Sequence, residues 1–217
     1  VAYATALKEI KFPKTLQTIG KAAFTDCISL TAEQLVFPES LSVIGEQAFY
    51  QCRGLTGRIT LPSSLKAIVC GAFYCCKISE INFPQSLEYL GCMAFANSAL
   101  VKAILPDNCT LCSEGGQFYN IWPLAEAHLP NNLTLVPNSV FSGCFSMKKV
   151  NVPTRAVTIA EFAFDQAKMS DIDFPETLES IEQDAFQSCN KLTAVVLPSS
   201  LKSLGDRAFA LCGSLQK

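Results

Sequence analysis

The residues best equipped for chemistry are eleven cysteines and a single histidine, His128. Cys109 and Cys112 form C-x2-C, the spacing that delivers two thiolates to one zinc ion or to one redox-active dithiol. Asp171 and Asp173 form D-x-D, a beginning of a cation site that lacks further ligands. A nucleophilic Cys–His pair needs a cysteine presented beside the imidazole. No G-x-S-x-G elbow, glycine-rich phosphate loop or H-E-x-x-H motif accompanies these groups. Whether any of them meet depends on the elements that carry them.

Those elements repeat. Nine of the eleven prolines, Pro13, Pro38, Pro62, Pro84, Pro106, Pro130, Pro153, Pro175 and Pro198, recur every 22 to 25 residues. Phe24, Phe49, Phe73, Phe95, Phe141, Phe164, Phe186 and Phe209 each follow their proline by eleven residues, and Phe118 follows by twelve, which reads as a one-residue insertion. The first and third residues before each proline are apolar, the period of a strand with one buried face, and proline ends the strand because it has no N–H to donate. The third and sixth residues after it are apolar again, as in Leu41 and Ile44, which predicts a second short extended segment. Glycines such as Gly45 and Gly91 then mark a tight turn, and a turn-like or single-turn helical piece brings the phenylalanine inward. One such unit cannot bury its own apolar side, so neighbours must stack. Truncating an interior phenylalanine should cost roughly 3–5 kcal/mol.

Register assigns the reactive groups. Cys27, Cys52, Cys76, Cys144, Cys189 and Cys212 sit three residues after the repeat phenylalanine, a slot that elsewhere holds Ser98, Ile121 or Ala167. A slot accepting such different small or apolar residues is a packing position. Cys109 occupies the slot of Leu41 and Cys112 that of Ile44, so both are expected to face the core and no metal site is expected. Cys70 and Cys92 fall on adjacent units in one register, within the reach of a disulfide, and stand as either a bonded pair or two thiols. Cys75 is expected to be the exposed thiol. His128 lies on an outward strand position and reads as a surface residue.

The unit L-x-x-I-x-[FL]-P-x-x-L-x-x-I-G-x-x-A-F-x-x-C is nearly complete in "LKEIKFPKTLQTIGKAAFTDC" and "LTAVVLPSSLKSLGDRAFALC". It resembles the BspA-like class of leucine-rich repeats over essentially the whole chain. The resemblance implies a leucine-rich repeat solenoid of about nine repeats. It has a parallel β-sheet on the concave side, and short strands, turns and single-turn helical pieces on the convex side. Such proteins are mostly surface-exposed or secreted in host-associated bacteria and parasitic protists, and are associated with adhesion. The fit is weakest at "PDNCTLCSEGGQFYNIWP", where a local bulge or bend is expected.

Composition agrees with a single folded domain over residues 1–217, expected to be a fragment of a longer protein. Half the residues are apolar, 17% are charged and the net charge is -2, which excludes a basic nucleic-acid-binding face. No apolar run is long enough to span a membrane, and no secretory leader opens the segment. The expected function is non-enzymatic and cofactor-free. A monomeric, adhesin-type module at the cell surface or secreted would bind a host or microbial protein through outward strand positions; the alternative is a structural stalk that spaces another domain. The outward columns mix both charge signs with apolar residues, the make-up of a recognition face or of a simply solvated one. Lys102, Ile104, Glu126, His128 and Lys149, beside the irregular unit with Trp122, form the candidate contact patch. Asn108 and Asn132 are glycosylation sequons that matter if a eukaryote secretes the chain.

Overall fold

The computed structural model describes residues 2–216, and the chain winds as a parallel β solenoid of about eight turns. Three hydrogen-bonded ladders run along the stack. The first is made by the strands before the prolines and comes in pieces. Ile10–Lys11 pairs with Leu35–Val36, Thr56–Thr60 with Lys77–Asn82, and Lys102–Ile104 with Glu126–His128, which continues as a bridge from Glu126 to Lys149. Proline withholds a donor at the end of each strand, and asparagine side chains supply the missing link. Asn82 accepts from the Leu61 N–H at 3.1 Å and donates to the Leu61 carbonyl at 3.3 Å, and Asn151 does the same to Leu129 at 2.8 and 2.9 Å.

The second ladder follows the prolines and is longer. Thr18–Ile19, Val43–Ile44, Ala67–Ile68, Tyr89–Leu90 and Thr110–Leu111 form one five-stranded parallel sheet, and Leu135–Val136, Thr158–Ile159, Ser180–Ile181 and Ser203–Leu204 form a four-stranded one. The break between Leu111 and Leu135 falls in the irregular unit.

The third ladder replaces the expected single-turn helical pieces. Among the described residues helix is confined to one 3-10 turn, Ala32–Gln34. Around each repeat phenylalanine the backbone instead alternates in hand: the residues two before and two after it have positive φ in all nine units, as at Gln47 (φ 54) and Gln51 (φ 57), or Met93 (φ 52) and Asn97 (φ 58). Alternation points every second N–H along the solenoid axis. Gln47, Phe49 and Gln51 donate to the carbonyls of Cys70, Ala72 and Tyr74 on the next coil at 2.9, 2.8 and 2.8 Å. A left-handed non-glycine residue costs roughly 1–2 kcal/mol, and these inter-coil bonds, repeated at every step, hold the strained turns in place.

Inside the ladders the phenylalanines stack ring on ring. Centroid separations are 5.2 Å for Phe24–Phe49, 5.3 Å for Phe49–Phe73 and Phe73–Phe95, and 5.0 Å for Phe164–Phe186 and Phe186–Phe209. Eight of the nine are buried and Phe209 is half-buried. The phenylalanines before proline, Phe12, Phe37, Phe83 and Phe174, meet the stack edge-on. The cysteines three residues beyond the stack are more than fillers. Cys52, Cys76, Cys144, Cys189 and Cys212 donate their thiols to the carbonyl of the preceding coil's phenylalanine at 2.9–3.2 Å. Burial pushes the Cys52 and Cys144 thiols up to about 12, which keeps them protonated donors rather than nucleophiles.

Candidate functional site

The strands Lys102–Ile104 and Glu126–His128 place the proposed contact residues side by side, Glu126 opposite Lys102 and His128 opposite Ile104. Inward Ala103 and Ala127 are buried while their neighbours face out, the alternation of a one-sided sheet. Lys102, Ile104, Glu126, His128, Lys149 and Asn151 line a shallow groove of about 540 Å³. Lys102 Nζ lies 3.0 Å and Lys149 Nζ 3.5 Å from the Glu126 carboxylate. The hydrogen bond from Lys102, reinforced by the charge of Lys149, holds that carboxyl below its ordinary range. Ile104 stands 41% exposed between these charges.

His128 is not simply solvated. It is half-buried, and its Nε2 lies 3.4 Å from Asp107 Oδ1, which also accepts from the Asn131 backbone N–H at 2.9 Å. The Asn131 N–H, and then His128, lower the Asp107 carboxyl. None of the residues lining this groove is a cysteine. Trp122 turns elsewhere: it donates to Asn120 Oδ1 at 2.6 Å and meets Phe145 edge-on at 6.0 Å. Asp171 and Asp173 are both exposed, with Asp171 accepting from Ser170. Asn108 and Asn132 lie exposed on adjacent coils at a turn position where Ser40, Ser64 and Ser86 bond the preceding coil.

Arg58–Glu80 at 3.0 Å continues the same column toward the chain start, so the outward charges pair along the axis and cancel locally. A family model of a BspA type leucine-rich repeat region matches residues 2–115 and 114–217. The chain belongs to the BspA-type leucine-rich repeat family. A leucine-rich repeat protein from Bacteroides ovatus superposes on this BspA-type chain with a TM-score of 0.62 at 26% identity, over 99% of this chain and 73% of that one. A leucine-rich repeat protein of T. pallidum gives 0.58 at 24% identity over 82% and 72%. A leucine-rich cell surface protein of Faecalibacterium prausnitzii gives 0.53 at 22% identity over 97% and 59%. Among curated proteins none matches. A BspA-type repeat region is a protein-interaction or structural module. Among the described residues no helix is long and apolar enough to cross a membrane.

The C-x2-C pair is corrected by register. Cys109 is buried in the leucine slot as expected, its N–H bonded to Pro106 as that of Leu41 is to Pro38. The next strand is one residue short, so Leu111, not Cys112, pairs with Leu90 and takes the isoleucine slot. Cys112 moves to the turn slot of Gly45, Val69 and Gly91, its N–H donating to Leu90 as theirs donate to Ile19, Ile44 and Ile68. Two extra residues, Ser113 and Glu114, then restore the phase before Gly115. The apparent single insertion is thus a deletion of one and an insertion of two. Gln117, fully buried where seven other units carry alanine and one carries Val140, fastens the longer turn by donating to the Cys112 carbonyl at 2.8 Å.

That slip creates a group the sequence did not reveal. Cys70 and Cys92 lie on adjacent coils as thiols, with the Cys92 N–H donating to Cys70 Sγ at 3.3 Å, and the sulfur of Cys112 joins them. All three sulfurs lie within 4.8 Å of one another. Burial would raise the Cys112 thiol, but hydrogen bonds from the Glu114 backbone and the Tyr89 hydroxyl outweigh it and lower the thiol below its ordinary value. Burial and then the hydrogen bond with Cys70 raise Cys92. Cys75 is half-buried rather than exposed.

Proposed function

We propose that the chain is a non-enzymatic, adhesin-type recognition module, monomeric and displayed at a cell surface or secreted, that holds a protein ligand against the outward strand face around Lys102, Ile104, Glu126, His128 and Lys149. The observation that supports this reading is the groove itself. An exposed isoleucine is flanked by a Lys–Glu–Lys triplet and by an imidazole braced on Asp107, all fixed to consecutive strands. Preset side chains lose little freedom on binding, and an apolar centre with charged flanks gives both contact area and orientation.

A second reading has its own support. The outward charges already satisfy one another along the axis, as a spacer with no ligand would require. Charge reversal separates the two. With Lys102→Glu, Glu126→Lys and Lys149→Glu in separate chains, binding to immobilised extracellular-matrix and cell-surface proteins is measured by surface plasmon resonance. Loss of a saturable wild-type signal in all three supports recognition by this face. A signal unchanged in all three removes this face as the site, and no wild-type signal on any surface leaves the stalk as the better reading.

A further inference from the structure

Cys70, Cys92 and Cys112 occupy slots where the repeat does not call for cysteine. The carbonyl ladder puts Cys70 and Cys92 in the column of Gly115 and of Glu46, Asn138, Glu161, Gln183 and Asp206, polar residues that are half-buried or exposed. Cys112 stands in a turn column of Gly45, Val69 and Gly91. Core packing therefore explains none of the three, unlike the cysteines that follow the phenylalanine stack. Three thiols contributed by three successive coils converge instead on one point.

We propose that Cys70, Cys92 and Cys112 form a three-thiolate site for a zinc ion that clamps these coils, with the fourth coordination position open to the adjoining groove. In a tetrahedral site with Zn–S bonds of about 2.3 Å the sulfurs lie about 3.8 Å apart. The observed triangle, with every separation within 4.8 Å, needs to close by at most about an ångström. All three cysteines are half-buried, accessible to an ion yet shielded from bulk water. The groove beside them, about 550 Å³, is lined by Cys70, Cys92, Met93 and Glu114, and it gives the ion a way in and room for a water or the Glu114 carboxylate as fourth ligand. On binding, the three thiols release their protons to solvent and form three Zn–S bonds.

The surroundings hold the sulfurs as ligand shells do. A Cβ at Gly91 would collide with the Cys70 backbone nitrogen, so glycine is what lets these coils approach. The Cys92 N–H bonds the Cys70 sulfur, and Gln117 fixes the Cys112 carbonyl. A disulfide would use two of the sulfurs and strand the third.

The test uses the whole reduced chain. Zn2+ is titrated against a chromophoric chelator, and Cd2+ is added in parallel to read thiolate-to-metal charge-transfer absorption. One ion per chain is expected, with the absorption of three thiolates. Cys70→Gln, Cys92→Gln and Cys112→Val, each a residue type its own column already accepts, should each abolish it while circular dichroism stays native. Cys75→Ser and Cys109→Leu should leave it unchanged. No bound ion on the wild-type chain overturns the proposal, as does an ion that persists in Cys112→Val. A Cys70–Cys92 disulfide that forms in the presence of Zn2+ and excludes it also overturns it.

Discussion

The coil built on Phe73 and the coil built on Phe118 share one plan and differ in phase. Around Phe73 the rings stack at 5.3 Å on both sides, nearly parallel. Around Phe118 the spacing opens to 6.2 Å toward Phe95 and 5.7 Å toward Phe141, an alanine is replaced by buried Gln117, and the ladder of strands after the prolines is interrupted. Where the phase holds, each slot is dictated by the residue stacked above and below it. Where it slips, slots are released from that dictate, and cysteine in a turn and a buried amide become possible. The contact groove and the thiol cluster both border this slipped coil.

The sharpest way to break the comparison is to delete each ring. Phe73→Ala removes a fully buried ring packed on two close neighbours and is expected to cost 3–5 kcal/mol, in the range of roughly 3–5 for such deletions. Phe118→Ala removes an equally buried ring whose neighbours already stand farther off, so its cost should lie at the lower end of that range. Urea unfolding followed by circular dichroism gives both losses. Because coils interact chiefly with nearest neighbours, an equal or larger loss at Phe118 would show that the slip does not loosen the stack.

The cysteine slot allows a gain rather than a loss. Cys52, Cys76 and Cys144 reach the phenylalanine carbonyl of the preceding coil, but Ser98, in the same slot, is buried with its hydroxyl unpartnered. The C–S bond is longer than C–O, so a thiol spans a gap that the serine hydroxyl does not. Ser98→Cys should therefore raise stability by about 1 kcal/mol, the scale of one recovered buried hydrogen bond. A neutral or destabilised Ser98→Cys chain would show that the slot selects cysteine for its volume alone.

The sequence carried the regular part of this design and hid the irregular part for identifiable reasons. Phenylalanine eleven residues after proline and the flanking aliphatic pairs mark the core, and in the interior coils most of those residues are buried as the period of the repeat requires. The positive-φ positions left no trace, because Gln47, Met93, Phe162 and Arg207 share no residue type; inter-coil hydrogen bonds impose that backbone from outside the local sequence. Cys112 was misplaced because counting from Pro106 cannot distinguish one insertion from a deletion of one followed by an insertion of two. Only strand pairing, Leu111 opposite Leu90, separates the cases. The outward patch was legible as a set of neighbours, since one register step per coil brings Lys102, Glu126 and Lys149 into line. The brace from Asp107 to His128 was not, since it reaches from a turn to the strand of the following coil.

The outward column and the inward stack should also respond on different scales. Lys149 is largely exposed and its contact to Glu126 is the longer of the two that carboxylate makes, so the pair gains little over hydration and is screened by salt. Lys149→Gln is accordingly expected to leave the urea midpoint unchanged within error, at low salt and at high salt alike. A clear loss at low salt that vanishes at high salt would mean that the charges brace neighbouring coils. The column would then belong to the same structural class as the phenylalanines, and the stalk reading would gain on recognition.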